Sequence, residues 1–202
     1  MKLKGLILAS LTLLFASTSA HAVVFDINTC WSSCENTGNL NVTVATLEVT
    51  DDATGVDFTL TNTSSNLGTW ATASTIISQL LFNYTGSETL TFSAVTGGAT
   101  GTITQGDRTN ASLSFNLDLD LPPPGSDYFT NGESISFSAS ATGGVAAGDF
   151  ASPVMVHLQR LANGGSVKYV DGNGNGVPEP GVLGLLGIGL LGIVLGRRRM
   201  AA

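Results

Sequence analysis

A chain of 202 residues has room for one ordinary domain flanked by terminal segments. Charged residues make up only 11% of it and apolar residues 43%, which excludes a highly charged disordered chain. Serine and threonine together number 44 and glycine 25, a composition that favours strands and turns. Residues 23–176 carry a net charge of −11, because fourteen acidic residues face only Arg108, Arg160 and Lys168. This balance excludes a nucleic-acid-binding surface, which needs clustered cations against phosphates.

The first 22 residues have the layout of a secretory signal peptide. Lys2 and Lys4 precede the apolar run Leu6–Phe15, and small residues follow, ending in Ala20-His21-Ala22. Signal peptidase accepts small side chains at these last positions, so we predict cleavage after Ala22. The alternative is an uncleaved N-terminal anchor.

Cys30 and Cys34 are the only cysteines of the chain. An even pair in an exported protein predicts a disulfide bond, here one that closes a short loop around Trp31. A redox-active site more often has two intervening residues, whereas this pair has three. The alternatives are a redox pair, unpaired thiols or metal ligands.

Residues 23–170 alternate apolar and polar side chains in short segments separated by Gly, Asn, Asp and Pro turn signals. Such a pattern predicts eight to ten strands and no helix. Strands that are apolar on one side only predict an all-β, antiparallel β-sandwich ectodomain, with a closed barrel as the alternative. The clearest segments are Phe58–Leu60, Leu80–Tyr84, Leu90–Ala94, Leu113–Leu119, Ile135–Ala139 and Val154–Leu158.

Three ionisable residues within these strands are candidates for chemistry. Asp118 and Asp120 lie two residues apart on a predicted strand, where they could bind calcium or hydrolyse a glycosidic bond, or simply be solvated. His157 is the only histidine after signal removal, and an ordinary strand histidine is favoured over a catalytic base or a zinc ligand. We therefore predict no catalytic residue, no metal site and no cofactor.

The aromatic residues offer one further possibility, a surface on which sugar rings stack. Trp31, Trp70, Tyr84 and Tyr128 are the candidates, and core packing is the favoured alternative for them.

Residues 171–176, Asp-Gly-Asn-Gly-Asn-Gly, match the first half of a calcium-binding EF-hand loop. The bidentate acid of that loop would fall at Val182, inside an apolar segment, so the loop cannot close around calcium in the usual way. A flexible linker is the better interpretation.

The last 26 residues contain three parts in a fixed order. Val177-Pro178-Glu179-Pro180 comes first, and its two prolines favour an extended, accessible backbone. Gly181–Gly196 is uncharged and predicts a single transmembrane helix of about 24 Å. Arg197, Arg198 and Arg199 follow as cytoplasmic stop-transfer charges, which place the N-terminal body outside.

These three parts, at about residues 177–199, resemble the PEP-CTERM sorting signal of Gram-negative bacteria. The resemblance implies recognition by exosortase, a membrane cysteine protease, and an association with exopolysaccharide and biofilm matrices. It covers about a ninth of the chain and concerns sorting alone.

Four regions are therefore expected: a signal peptide (1–22), a β-sandwich ectodomain (23–170), a linker (171–176) and a sorting signal (177–202). The expected function is that of a non-enzymatic structural or adhesive protein at the cell surface or in the matrix. Signal peptidase and exosortase are the expected processing enzymes. We expect the C-terminal helix to anchor the chain in the membrane before cleavage, and exopolysaccharide to be its partner. The alternatives are a carbohydrate-binding module, with or without calcium, and a carboxylate-dependent glycoside hydrolase.

Overall fold

The computed structural model describes residues 21–121 and 128–172, together with the backbone of Val177–Pro178. The predicted signal segment up to Ala20, most of the linker, and everything from Glu179 onward lie outside the described residues. Within the described part no helix is long and apolar enough to cross a membrane.

Alternating apolar residues form strands over more than half of the described residues, as the sequence predicts, and the strand pairings are antiparallel. Helical structure there is limited to three short 3-10 turns, at Cys34–Thr37, Ser64–Trp70 and Ala147–Asp149. The strands are β1 Ala22–Ser32, β2 Ala45–Asp52, β3 Gly55–Asn62, β4 Ile76–Tyr84, β5 Thr91–Phe92, β6 Thr96–Gly97, β7 Thr102–Asn110, β8 Leu113–Asp120, β9 Ser134–Ser140, β10 Phe150–Gln159, β11 Ser166–Asp171 and β12 Val177–Pro178.

The strands belong to one hydrogen-bonded sheet, in the order β5-β9-β3-β2-β1-β11-β10-β4-β8-β7, with β6 on β9 and β12 on β1. The predicted division into two sheets is therefore corrected: the sheet is continuous, nearly closed and barrel-like. The long strand β1 connects the two halves, since it pairs with β2 on one side and with β11 on the other. Register shifts in the β1–β11, β10–β4 and β7–β8 pairs bend the strands, and bending lets one sheet curl around a core.

The core lies inside the curled sheet and is rich in aromatic rings. Phe58 of β3 stacks on Phe137 of the neighbouring strand β9, with ring centroids 4.6 Å apart. It also contacts Phe82 of β4 at 5.7 Å and Phe150 of β10 at 4.9 Å, across the interior. These contacts hold the two halves of the sheet together in the way that the faces of a sandwich pack.

A side-chain amide links the two edges of the sheet. Gln105, on the outermost strand β7, accepts a hydrogen bond from the Leu90 backbone N–H at 2.9 Å through its Oε1. Its Nε2 donates to the Glu88 carbonyl at 3.1 Å. Both partners lie just before β5, the edge strand at the opposite end of the strand order. Gln105 therefore links β7 to the segment before β5 through side-chain hydrogen bonds, and we call this gap between the two edge strands the seam.

Candidate functional site

The two outer faces of the curled sheet differ, and both hold residues that the sequence singled out. On the half formed by β11, β10, β4 and β8, four apolar side chains form a small second core outside the sheet, buried beside Ala111 and Leu113. The turn of the β7–β8 hairpin, which contains Ala111, folds over this half. We call the outer surface of this half the covered face. Its four buried apolar residues are Leu81, Phe115, Met155 and Val170.

A chain of polar side chains crosses the covered face beside that cluster. The Lys168 ammonium donates to Asn110 Oδ1, and Asn110 Nδ2 donates to Gln79 Oε1 at 3.3 Å. Gln79 Nε2 in turn donates to Asp118 Oδ1 at 3.0 Å. Arg108 Nε lies 3.3 Å from Asp118 Oδ2 and completes the chain. These bonds join the hairpin to β4 and β11 and satisfy the polar groups that it covers.

Asp118 and Asp120 are thus in different environments, so the alternative in which both are solvated fits Asp120 alone. Asp118 is only 4% exposed, and each of its oxygens already has a partner, whereas Asp120 is exposed. The structure does not bring the two together as a pair of free carboxylates.

His157 lies half-buried on β10, between Lys168 of β11 and Gln79 of β4. Burial, and after it the positive charge of Lys168, lowers the pKa of its imidazole below the usual value. The Ser78 hydroxyl lies 3.5 Å from Nδ1 and donates to the His157 carbonyl at 3.2 Å. Ser78 and His157, together with Gln79 and Asp120, line a shallow pocket of about 290 Å³. Among the described residues, no group of three or more His, Cys, Asp or Glu side chains is placed to hold a metal ion.

The other outer face, formed by β2, β3 and β9, presents hydroxyl groups to solvent. The Thr61 and Ser134 hydroxyls lie 2.9 Å apart and those of Thr59 and Ser136 lie 3.4 Å apart, each pair across neighbouring strands. We call this the hydroxyl face; its outward residues are Thr46, Glu48, Thr50, Asp57, Thr59, Thr61, Ser134, Ser136 and Ser138.

The loop between β5 and β6 turns part of the hydroxyl face into a groove. Both short strands pair with β9, and Ser93 between them exchanges hydrogen bonds with the Ser138 backbone. The groove has a volume of about 540 Å³, and its lining holds the carboxylate Asp57 but no cationic side chain. Sequence analysis passed over these residues, although the alternation of Ser with apolar residues in Ile135–Ala139 signals an uncharged outward face.

The four candidate aromatic residues do not share one environment. Tyr84 is buried in the core, and Trp70 is half-buried against it. Trp31 is 46% exposed, and its indole N–H donates to the Ala111 carbonyl at 2.9 Å. The Arg160 guanidinium lies over the Tyr128 ring, 4.3 Å from its centroid. Core packing therefore accounts for Tyr84 and for the inner side of Trp70.

The predicted disulfide between Cys30 and Cys34 is present. It joins the end of β1 to the 3-10 turn that follows, with a Cα–Cα distance of 5.8 Å. Nearby, the Asn41 side-chain oxygen accepts a hydrogen bond from the Cys30 backbone N–H at 2.9 Å. The disulfide therefore closes the loop that carries Trp31, and the Trp31–Ala111 hydrogen bond connects this loop to the hairpin.

The sorting motif begins within the sheet. Val177 pairs with Val24 and Pro178 with Val23, so the first two motif residues form strand β12. Glu179, Pro180, the predicted helix Gly181–Gly196 and Arg197–Arg199 lie outside the described residues. At the other predicted processing site, Ala22 is already the first residue of β1 and pairs with Thr50.

Comparison with known proteins identifies one feature of the chain. Residues 176–199 match the family model of the PEP-CTERM protein-sorting motif. No curated protein and no solved structure matches the chain. The chain thus carries a PEP-CTERM sorting motif, which implies export, C-terminal membrane anchoring and targeting by exosortase to the cell surface.

Proposed function

Because the chain carries this sorting motif, we propose that it is a structural or adhesive protein of the extracellular matrix that binds exopolysaccharide and performs no catalysis. Signal peptidase removes residues 1–22, the ectodomain folds outside the inner membrane, and exosortase cleaves near Val177–Pro180. The released body then joins the surface or matrix layer.

The hydroxyl face is the observation that supports this role. A hydroxyl group both donates and accepts hydrogen bonds, as the hydroxyls of a sugar chain do. Short Ser and Thr side chains also lose little rotamer entropy when a polymer settles on them. The groove lining has no cation to favour a polyanion, while the net negative charge of the body repels one. A neutral polysaccharide is therefore the best-matched partner.

Co-sedimentation with neutral polysaccharide purified from the matrix tests this proposal. The double variant Thr59→Val/Ser136→Ala removes two hydroxyl groups from the groove with little change of shape, and we expect it to weaken retention about threefold to tenfold. The matched control is Thr109→Val/Ser114→Ala, which removes the same two groups from an exposed cross-strand pair in β7–β8. Equal loss in both variants, or no binding by the wild-type protein, would contradict the proposal.

Mass spectrometry of the protein from the cell surface tests its processing. We expect an N-terminus at Val23 and loss of Gly181–Ala202. Recovery of surface protein that still carries the C-terminal 22 residues would refute exosortase processing.

A carbohydrate-binding module is the second candidate, and the groove is again the feature that favours it. Such a module would bind a short oligosaccharide saturably, whereas an adhesive face needs many weak contacts along a polymer. Isothermal titration with oligosaccharides of increasing length separates the two. If calcium assists, a chelator should abolish binding.

A further inference from the structure

The edge of β1 holds the beginning of the sorting motif. On one side β1 pairs with β2 from Ala22 to Ile27. On its other side β11 covers Ile27–Ser32, and β12 covers Val23 and Val24. Among the described residues only β11 and β12 pair with this side of β1, so without β12 Val23 and Val24 would have no strand partner there.

Asp171, the last residue of β11, is held in place before the chain continues to β12. Asp171, at the end of β11, pairs with Ile27, and its carboxylate accepts hydrogen bonds from the Val154 N–H at 2.7 Å and from the Ser152 hydroxyl. Six residues further along the chain, Val177 pairs with Val24, which lies only three residues before Ile27 on the same edge. β12 therefore returns to the same edge of β1 that β11 occupies further along.

We propose that β12 is a latch that withholds the sorting motif from its protease, and that it must leave β1 before cleavage. A protease usually binds an extended substrate through backbone hydrogen bonds of the strand-addition kind. In β12 one edge of that backbone is already occupied by β1. The inference rests on the proposed exosortase processing and adds that the folded body controls access to it.

The latch is weak enough to open spontaneously. It consists of two residue pairs, and Pro178 has no N–H to donate. The detached state is then a minor but accessible population, and the rate of cleavage follows its fraction. The strand that holds the latch begins at the predicted signal-peptide cleavage site, so latching also depends on correct processing and folding of the N-terminus.

A disulfide across the latch tests the proposal in the full-length protein. Val24→Cys/Val177→Cys places the two cysteines at directly paired positions of antiparallel strands. The Cα atoms of such a pair lie about 4.5–5.5 Å apart, within the range that a disulfide spans. We expect the cross-linked precursor to accumulate uncleaved in cells with exosortase, with at least a tenfold loss of processing, and reductant to restore cleavage. The two single-cysteine variants should be processed as the wild type is.

Val24→Cys/Glu48→Cys is the matched control. It uses the same β1 residue but ties it to β2 on the opposite side, because Val24 pairs with Glu48 there. This disulfide stiffens β1 and leaves β12 free, so processing should stay at the wild-type rate. If both cross-linked variants are blocked, rigidity of the body is responsible and the latch is refuted.

Two further outcomes would also overturn the latch. One is wild-type cleavage of the Val24–Val177 cross-linked precursor. The other is failure of that pair to cross-link, by oxidation or with a short bifunctional thiol reagent. Failure of the proposed function is distinguishable, since the wild-type protein itself would then remain uncleaved in cells that contain exosortase.

Discussion

The covered face and the hydroxyl face are two outer surfaces of one sheet, with the same alternating strand pattern beneath. On the covered face, Leu81, Phe115, Met155 and Val170 point outward, and a hairpin folds over them to exclude water. On the hydroxyl face the outward positions hold short Ser and Thr side chains with two acids, and all of them are at least partly exposed to solvent. The comparison indicates that the polar chain from Lys168 to Asp118 serves the packing of the covered face, whereas no hairpin covers the described residues of the hydroxyl face.

The sharpest way to break this comparison is to remove a large side chain from the covered face. We expect Phe115→Ala to lower the free energy of unfolding by about 3 kcal/mol, because the buried ring leaves a cavity under the hairpin. The hydroxyl-face variant Thr59→Val/Ser136→Ala should change it by less than about 0.5 kcal/mol for each site. Urea denaturation of both variants tests this difference. Equal losses of unfolding free energy in the two variants would mean that the hairpin does not stabilise the face it covers.

Loss of Asp118 comes next in size. We expect Asp118→Ala to cost about 2 kcal/mol, since it removes the acceptor for Gln79 and Arg108 at the centre of the polar chain. Arg108→Ala should cost less, because the Arg108 side chain is 56% exposed and water can replace it. The same denaturation experiment tests this order, and a larger effect for Arg108→Ala would contradict it.

Opening the seam between the two halves should have a smaller effect. Gln105→Ala removes two hydrogen bonds from an exposed side chain, and we expect a loss of about 1 kcal/mol. Amide hydrogen exchange should locate the change, with faster exchange at the Leu90 backbone N–H, which donates its hydrogen bond to Gln105. Unchanged exchange there would show that the seam is closed by other contacts.

The smallest predicted effect is a pH dependence confined to the covered face. The pKa of His157 is lowered in the folded protein, first by burial and second by Lys168, so the unfolded chain binds the extra proton more readily. Stability should therefore be fully present above pH 6.5 and should fall as the pH drops through the usual histidine pKa toward the lowered one.

The difference in unfolding midpoint between the wild type and His157→Gln, measured from pH 7.5 to pH 5.5, isolates this effect from the carboxylates. We expect the wild type to lose stability relative to the variant as the pH falls. Lys168→Met should reduce the loss without removing it, because the charge of Lys168 is the second cause of the shift. A constant difference would contradict the assignment.

Much of the fold was predictable because strand patterning is local. Segments such as Ile135–Ala139 predict a strand and its inward side wherever they occur, and the pair Cys30 and Cys34 in an exported chain predicts a disulfide. Among the aromatic candidates, Tyr84 continues the alternation of Leu80 and Phe82 into the core, as local patterning predicts. Trp31 was not predictable in this way, because the hairpin that it contacts lies 80 residues further along the chain. The environment of Asp118 likewise depends on Arg108 and Gln79, which reach it only across strand pairings.

By itself the sequence determined the class of structure and the sorting motif, because both depend on residue types at short, fixed spacings. It did not determine that the strands form one curled sheet, which follows from β1 pairing along both its edges and from bulges that bend its neighbours. Nor did it determine which outward face is covered and which is open, or that Val177 and Pro178 pair with Val24 and Val23. These features were decided by contacts between residues far apart in the chain, and local patterning carries no information about which distant strands will meet.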